Sequence, residues 1–305
     1  MNRRCEHLLG LLRRYVGVAF SVLCIECNAG TGGWIGIEAI ADDRTILILA
    51  SVHVWPVEIA GFPDMNWPLS KLPHAKALAV ELDMSRVGEN VLDTWLSARI
   101  TQEIMDKAFR GRVREHVLKS LKTSRFRFDS KETERLLASH PLKIYQLLSC
   151  DGVIPSNQAY RSMDQELLQF AKSAGLKVVE LETFDEQARW LTGGPSFDWR
   201  AALLSLPVNR SHCDENRALN LLRSMTGLYG AGKVDRILSL TSSPSDFPWS
   251  DQRYHLRNSV IADRIDDFSK TIGSMIVVIG LRHLFGDRSV PELLHSRGYK
   301  TRLLD

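Results

Sequence analysis

The sequence predicts an α/β fold in which a mostly parallel central sheet is flanked by helices. Residues 45–53, TILILASVH, contain five apolar residues in a row, and residues 275–283, MIVVIGLRH, repeat this pattern near the end of the chain. Apolar runs without alternation are typical of strands that are buried on both faces, as in parallel sheets. Between these runs, apolar residues recur three and four positions apart, which indicates helices.

Each of the two apolar runs ends in a small residue that is followed, three positions later, by a histidine. These residues are Ala50 with His53, and Gly280 with His283. Open α/β sheets bind ligands at the carboxyl ends of their strands. The two imidazoles could therefore converge on one metal ion or one substrate. The alternative is that each histidine only caps its strand, in which case its mutation should lower stability and change nothing else.

Two further strands carry acids at the same type of position. Residues 77–82, ALAVEL, include Glu81, and a carboxylate in an apolar strand is costly unless it is paired or binds a metal ion. The alternative for Glu81 is an edge strand on which it faces water. Residues 176–181, LKVVEL, are followed by Glu182. Thr183 and Glu186 have the spacing of a capping box, which leaves Glu182 available for a role in the site.

The rest of the chain surrounds this pattern with helices. Residues 34–40 read as a strand that forms a hairpin with 45–53, and residues 54–68 read as a loop. A helical insertion is predicted over about 90–160, broken near Pro141. The remaining predictions are a helix over 162–174 that begins near Asp164, a loop-rich stretch over 192–209, helices over 214–238, 251–270 and 290–296, and a strand over 299–303.

The first 29 residues resemble an export signal. Four arginines precede the apolar stretch 15–25, which is short for a membrane span, and cleavage before Gly30 would leave one domain over 30–305. The mature chain would keep Cys150 and Cys213, a candidate disulfide in an exported, periplasmic or secreted protein. An amphipathic N-terminal helix or a misassigned start codon is the alternative, and the protein would then be cytoplasmic.

Composition and motifs exclude several classes of function. The formal net charge of +3 is small and scattered, which argues against nucleic acid as a partner. Beyond the leader, no segment reads as a membrane span, so the mature chain should have no transmembrane segment. The sequence contains no G-x-S-x-G elbow, no H-E-x-x-H helix, no paired C-x-x-C and no Walker loop.

With these residues in place, the chain resembles the TraB/PrgY/GumN family, which includes the Tiki proteins. The similarity is closest to the GumN-like bacterial branch and is dispersed, in order, along residues 34–305. The matching positions are Trp34, the strand end 50–53, Glu81, Asp164, the segment 181–187, Arg257 with Asn258, the strand end 280–284 with Gly286, and Gly298 with Tyr299.

The resemblance implies a fold similar to the erythromycin esterase and ChaN-like proteins. It also implies a metal-dependent hydrolase that acts as a peptidase. His53 and His283 would bind a divalent ion (Mn, Co or Zn), and Glu81 and Glu182 would be further ligands or a general base. Arg257 would bind the substrate, a peptide or a small molecule, or its oxyanion.

The chain departs from the family pattern at three positions near these histidines. Ala50 and Ser51 stand where a glycine and a threonine are usual, and Arg282 places a cation next to His283. That charge could repel a metal ion or bind an acidic substrate. A non-catalytic binding or accessory protein of the cell envelope, which uses the same pocket, therefore remains the alternative to a hydrolase.

Overall fold

The computed structural model describes residues 33–83, 86, 91–98, 102–123, 128–149, 160–192, 197–206, 215–241 and 251–304. The predicted leader with its cleavage site, and Cys150 and Cys213, lie outside these residues, so export and the disulfide remain predictions. Among the described residues, no helix combines the length and the apolarity that crossing a membrane requires.

Within these residues, six strands form one sheet and two short strands form another. The strands are β1 (Gly36–Ala41), β2 (Arg44–Ser51), β3 (Trp55–Pro56), β4 (Ala77–Val80), β5 (Tyr160–Arg161), β6 (Lys177–Glu180), β7 (Met275–Gly280) and β8 (Lys300–Leu303). The large sheet has the order β6-β4-β7-β2-β1-β8, and β3 pairs with β5. Strands β6, β4, β7 and β2 are parallel, whereas β1 runs antiparallel to β2 and β8. The predicted mostly parallel sheet is confirmed, while its likeness to ChaN-like proteins stays a prediction.

The two apolar runs form the centre of this sheet. All residues from Ile46 to Ala50 and from Met275 to Ile279 are at most 1% exposed, as expected for strands covered on both faces. Strands β2 and β7 are direct neighbours, and their register sets Ser51 beside Gly280. The two strand ends that carry His53 and His283 are therefore adjacent. The predicted hairpin is also confirmed, because β1 pairs with β2 from Ala41 and Arg44 onward.

Helices cover the sheet and build a second hydrophobic cluster. The helices are α1 (Trp67–Lys71), α2 (Val91–Ala98), α3 (Gln102–Ala108), α4 (Arg112–Thr123), α5 (Ser130–Leu137), α6 (Pro141–Ser149), α7 (Met163–Ser173), α8 (Phe184–Thr192), α9 (Trp199–Ser205), α10 (Glu215–Gly230), α11 (Val234–Thr241), α12 (Asp251–Ile272) and α13 (Val290–Ser296). Helices α2 to α6 occupy the predicted insertion and share a core with α9. The helical structure is interrupted before Pro141, as predicted. Pro141 is the first residue of α6, a position where proline is tolerated.

Two predictions about helices are wrong. The stretch 192–209 is not simply a loop, because α9 lies within it. The Asp198 side chain caps this helix, and Trp199 and Leu203 are buried in the second cluster. The predicted helix over 214–238 is instead two helices, α10 and α11. They separate at Gly232, whose φ of 65° is a left-handed conformation that glycine adopts without strain.

Candidate functional site

The carboxyl ends of four neighbouring parallel strands bring the predicted site residues together. Glu81 follows β4 directly, His53 and Glu182 are the second residues after β2 and β6, and His283 ends a short 3₁₀ turn after β7. Because these strands are parallel, their carboxyl ends lie at one edge of the sheet. Helix α12 adds Arg257, so all five predicted residues lie at this edge, four of them joined by hydrogen bonds or ion pairs.

One guanidinium connects the two acids. Arg257 Nη2 donates to Glu81 Oε2 at 2.7 Å and to Glu182 Oε2 at 2.5 Å, and its Nε donates to Glu182 Oε1 at 2.9 Å. The Glu182 amide also donates to the Glu81 carbonyl at 2.9 Å, which extends the pairing of β4 with β6. Glu81 and Glu182 are 6% and 1% exposed, and β4 lies inside the sheet. The alternative of a solvent-facing edge-strand glutamate at position 81 is therefore wrong.

Gly280 is the point on which both histidines and Glu81 converge. Its amide donates to Glu81 Oε1 at 2.5 Å, and the same carboxylate oxygen lies 3.7 Å from His283 Nε2. A Cβ atom at Gly280 would lie 3.3 Å from Glu81 Oε1, 3.6 Å from His53 Nε2 and 3.7 Å from His283 Cδ2. The absence of a side chain at Gly280 thus leaves the space between these three groups open.

Each imidazole is held from behind through its Nδ1 atom. His53 Nδ1 lies 2.8 Å from Asp164 Oδ2, and His283 Nδ1 lies 2.5 Å from Asn258 Oδ1. Because Asn258 Nδ2 donates to the Arg288 carbonyl at 2.8 Å, its Oδ1 is an acceptor, and the His283 proton is on Nδ1. Carboxylate or carbonyl support of this kind is usual behind histidines that bind metal ions through Nε2.

Sequence reasoning did not assign these two supporting residues to the site. Asp164 matches the family pattern as an acid near the start of a helix, and Asn258 matches it as part of the pair with Arg257, which could face the site or be exposed. Helix α7 begins at Met163, after a cap by Ser162, so Asp164 lies in its first turn. An acid in the first turn of a predicted helix is the signal available, but such acids are common for helix stability alone.

The buried acids differ in their affinity for protons. Burial raises the pKa of Glu81, but the charges of Arg257 and His53 and the hydrogen bond from the Gly280 amide outweigh this effect and lower the pKa. Burial lowers the pKa of His283 to about 3, so this imidazole is neutral at pH 7 and does not contribute a charge. Burial raises the pKa of Glu182, and the Glu81 charge adds to this effect while Arg257 opposes it. Glu81 is thus the stable anion of the pair.

The pKa of His53 is shifted in the opposite direction from that of His283. Removal of water by the surrounding protein lowers its pKa, but the ion pair with Asp164 and the nearby Glu81 charge outweigh this and raise the pKa to about 9. Since 61% of the His53 side chain is exposed, desolvation is incomplete and the ion pair decides the direction. The free site therefore contains one cationic and one neutral imidazole at neutral pH.

An aromatic side chain packs against the buried histidine. Tyr254, on α12, stacks on His283 with the ring centroids 4.9 Å apart and an interplanar angle of 29°. The Arg282 guanidinium lies 4.7 Å from the centroid of the Tyr254 ring. Helix α12 thus contributes Tyr254, Arg257 and Asn258 to the site, and the cation at position 282 contacts this aromatic ring.

A cleft leads to these groups. A cavity of about 320 Å³ is lined by His53, Glu81, Asp164, Gln165 and Gln187, among others. A more open depression of about 650 Å³ runs along α7 and shares Ser162 and Gln165 with the first cavity. The site is therefore open on the side of His53 and Glu81, whereas His283 is 1% exposed and is not among the residues that line the cavity.

The donor atoms are of the types that bind divalent transition metals, but in this structure they are not arranged as a complete coordination site. Two imidazole Nε2 atoms and Glu81 Oε1 make up a His₂-carboxylate set, which zinc and related ions accept. Both carboxylate oxygens of Glu182, by contrast, accept hydrogen bonds from Arg257. Among the described residues, no group of three or more His, Cys, Asp or Glu side chains is arranged closely enough to hold a metal ion.

The fold and these contacts define an α/β protein with a cluster of polar side chains at the carboxyl edge of its sheet. The chain belongs to the TraB/PrgY/gumN family, whose model matches residues 37–302. It is similar to the uncharacterized protein YbaP of Escherichia coli (strain K12), at 26% identity over 271 residues, which cover 86% of this chain and 92% of the relative. The uncharacterized YbaP of Shigella flexneri matches to the same extent. No solved structure matches the chain significantly.

Proposed function

We propose that this protein is a metal-dependent hydrolase that acts on peptides. The observation that carries the proposal is the orientation of the two imidazoles. Asp164 and Asn258 occupy their Nδ1 atoms, and His53 Nε2 and the His283 ring approach Gly280 together with Glu81 Oε1. Histidines fixed in this way are pre-organised to donate an Nε2 lone pair to a cation, which His53 would do after the loss of its Nε2 proton.

In the proposed site, His53, His283 and Glu81 hold the cation. A divalent Mn, Co or Zn ion bound there would polarise a substrate carbonyl and make a water molecule more acidic. Glu182, whose pKa is raised, is the acid best suited to accept and return a proton. Arg257 fixes the Glu182 carboxylate, and its hydrogen bonds within the described residues use Nε and Nη2, which leaves Nη1 for a substrate oxygen.

The shape of the cleft supports an extended substrate. The cavity beside His53 and the depression along α7 share Ser162 and Gln165, so an extended chain could contact both. The side-chain amides of Gln165 and Gln187 line the cavity and can each donate and accept hydrogen bonds with a peptide backbone. These features favour a peptide over a compact small molecule.

The second candidate is a binding or accessory protein of the cell envelope that uses the same pocket without turnover. The observation that favours it is the position of Arg257, which already neutralises Glu81 and Glu182 without a metal ion. Such a site is complete as a polar pocket. The envelope location in either proposal depends on the predicted leader, residues 1–29.

The test is metal binding by the purified chain after separate incubation with Mn, Co and Zn salts, followed by elemental analysis. The variants are His53→Ala/His283→Ala and, as a matched control, His74→Ala, since His74 is exposed and outside the site. We expect stoichiometric metal in the wild type and the control, little metal in the double variant, and cleavage in a peptide-library screen of the loaded protein. A wild-type chain that takes up no metal would favour the binding protein.

A further inference from the structure

Ser51 has a buried hydroxyl that lacks a hydrogen-bond partner. The residue ends β2 and is 3% exposed, and its Oγ atom makes no hydrogen bond within the described part of the chain. Buried polar groups in folded proteins almost always have a partner, because an unpaired one loses its hydrogen bonds to water without replacement. The exception at Ser51 therefore requires an explanation.

The backbone groups next to Ser51 are hydrogen-bonded, in contrast to its side-chain hydroxyl. The Tyr229 hydroxyl donates to the Ala50 carbonyl at 2.6 Å and accepts from the Ile35 amide at 3.2 Å. The Val52 amide lies 3.4 Å from the Met163 sulfur. The end of β2 is thus held firmly on both sides of Ser51, and the hydroxyl does not lack a partner because the strand end is loose.

The register of the sheet places the Ser51 side chain on the face of the candidate site. Ser51 is paired with Gly280 of the neighbouring strand, and paired residues in a sheet project their side chains to the same face. On this face of Gly280, a Cβ atom would meet Glu81 Oε1, His53 Nε2 and the His283 ring. The unpaired hydroxyl and these groups therefore share one face of two adjacent strand ends.

We propose that Ser51 is a water-binding residue of this site, and that its hydroxyl holds a water molecule near Gly280. A buried water needs two to four polar partners, and Ser51 Oγ, Glu81 Oε1 and His53 Nε2 can supply them. Under the function proposed above, His53 Nε2 would instead bind the metal ion, and Ser51 with Glu81 would position this water as the one that reacts with the substrate. The existence of the bound water depends on the placement of these groups and does not require a metal ion.

The first test compares Ser51→Ala with Ser274→Ala in thermal unfolding. Ser274 precedes β7 at the opposite edge of the sheet, is 6% exposed, and accepts a hydrogen bond from the Thr45 amide at 3.0 Å. Loss of that bonded hydroxyl should lower the melting temperature by about 2–4 °C. If Ser51 holds a buried water, Ser51→Ala also removes a hydrogen-bonded hydroxyl, and its melting temperature should fall by a similar or smaller amount. A rise at Ser51→Ala would show that the hydroxyl has no partner in the folded protein and would overturn the proposal.

The second test locates the water by high-resolution crystallography of the wild type and Ser51→Ala. We expect an ordered oxygen within hydrogen-bond distance of Ser51 Oγ and of Glu81 or His53 in the wild type, and its loss in the variant. A Ser51 hydroxyl that instead donates to a protein carbonyl would overturn the proposal. Failure of the metal hypothesis would appear as a wild type without metal, and would leave this readout unchanged.

The third test uses a peptide that the loaded wild type cleaves. If Ser51 positions water, Ser51→Ala should lower kcat about tenfold or more with little change in KM, and Ser51→Thr, which keeps the hydroxyl, should retain most of the rate. A rise in KM with unchanged kcat would show that Ser51 binds the substrate instead and would overturn the assignment to water. The control Ser274→Ala should leave both constants unchanged at a temperature where it is folded.

Discussion

Arg257 donates from both Nε and Nη2 to the carboxylate of Glu182, although 75 positions separate the two residues in the chain. The same Nη2 atom also reaches Glu81, so one cation compensates two buried anions. Arrangements of this kind contribute little net stability over an apolar core, yet removal of one partner is costly because a charge remains buried without compensation. The integrity of the candidate site therefore depends on this guanidinium.

Arg257→Gln should destabilise the protein by about 3 kcal/mol at neutral pH, because it leaves Glu81 and Glu182 without their cation. The loss should shrink in acid, where Glu182 takes up a proton more readily, as its raised pKa indicates. Urea unfolding at pH 7 and pH 5 measures both effects. Arg189→Gln removes an exposed cation that pairs with Asp185, and should cost less than about 1 kcal/mol. Equal losses in the two variants would contradict this account of Arg257.

The tautomer of His283 offers a direct check of the site geometry. Since Asn258 Oδ1 accepts from His283 Nδ1, nitrogen NMR of the metal-free protein should show a proton on Nδ1 and a bare Nε2. Asn258→Leu removes the acceptor and should shift the ring toward the Nε2–H tautomer that predominates in exposed histidines. His74, which is exposed, provides that reference in the same spectrum. A wild-type His283 that resembles His74 would disprove the contact with Asn258.

The sequence predicts the sheet and the convergence of four polar side chains at its carboxyl edge, for a physical reason. A strand covered on both faces needs a continuous apolar run, so residues 46–50 and 275–279 are recognisable without any knowledge of their neighbours. Because parallel strands end at one edge, polar side chains just after such runs are brought together by the fold itself. His53, Glu81, Glu182 and His283 could therefore be predicted to lie together at this edge.

The contacts that complete the site leave no local pattern. His53 and Asp164 are 111 positions apart, and neither periodicity nor spacing links them. Helix α9 was missed for a related reason: it is seven residues long and follows Gly193, Gly194 and Pro195, which predict a loop. Helix α9 is stabilised by the packing of Trp199 against residues that are distant in the sequence, in the second hydrophobic cluster, rather than by local helix propensity.

His140 should make stability depend on pH in the weakly acidic range. Burial lowers its pKa from 6.5 to about 4, and its Nδ1 accepts from the Leu142 amide at the start of α6. The unfolded chain takes up a proton below pH 6.5 and the folded chain does not until about pH 4, so stability falls across this window as pH decreases, by up to about 3 kcal/mol.

The variant that isolates this effect is His140→Asn, whose side-chain oxygen can still accept from the Leu142 amide but does not titrate. It should have lower stability at pH 7, because it loses the edge contact with Trp199, and a flatter dependence between pH 6.5 and 4 than the wild type. Chemical denaturation at several pH values gives both curves. Parallel curves for the two proteins would contradict the role of His140.

Gly280→Ala should separate function from stability. Gly280 has a φ of −55°, which alanine adopts freely, and its new methyl group would come to 3.3 Å from Glu81 Oε1. We expect a folded protein whose free energy of unfolding changes by less than about 1.5 kcal/mol and whose site no longer binds metal or substrate. In Gly36→Ala the methyl group would lie 2.6 Å from the Ile48 carbonyl oxygen and 2.7 Å from Leu304 Cδ1, so this control should lose about 3 kcal/mol. A Gly280→Ala protein with unchanged ligand binding would show that the space above Gly280 is not the binding site.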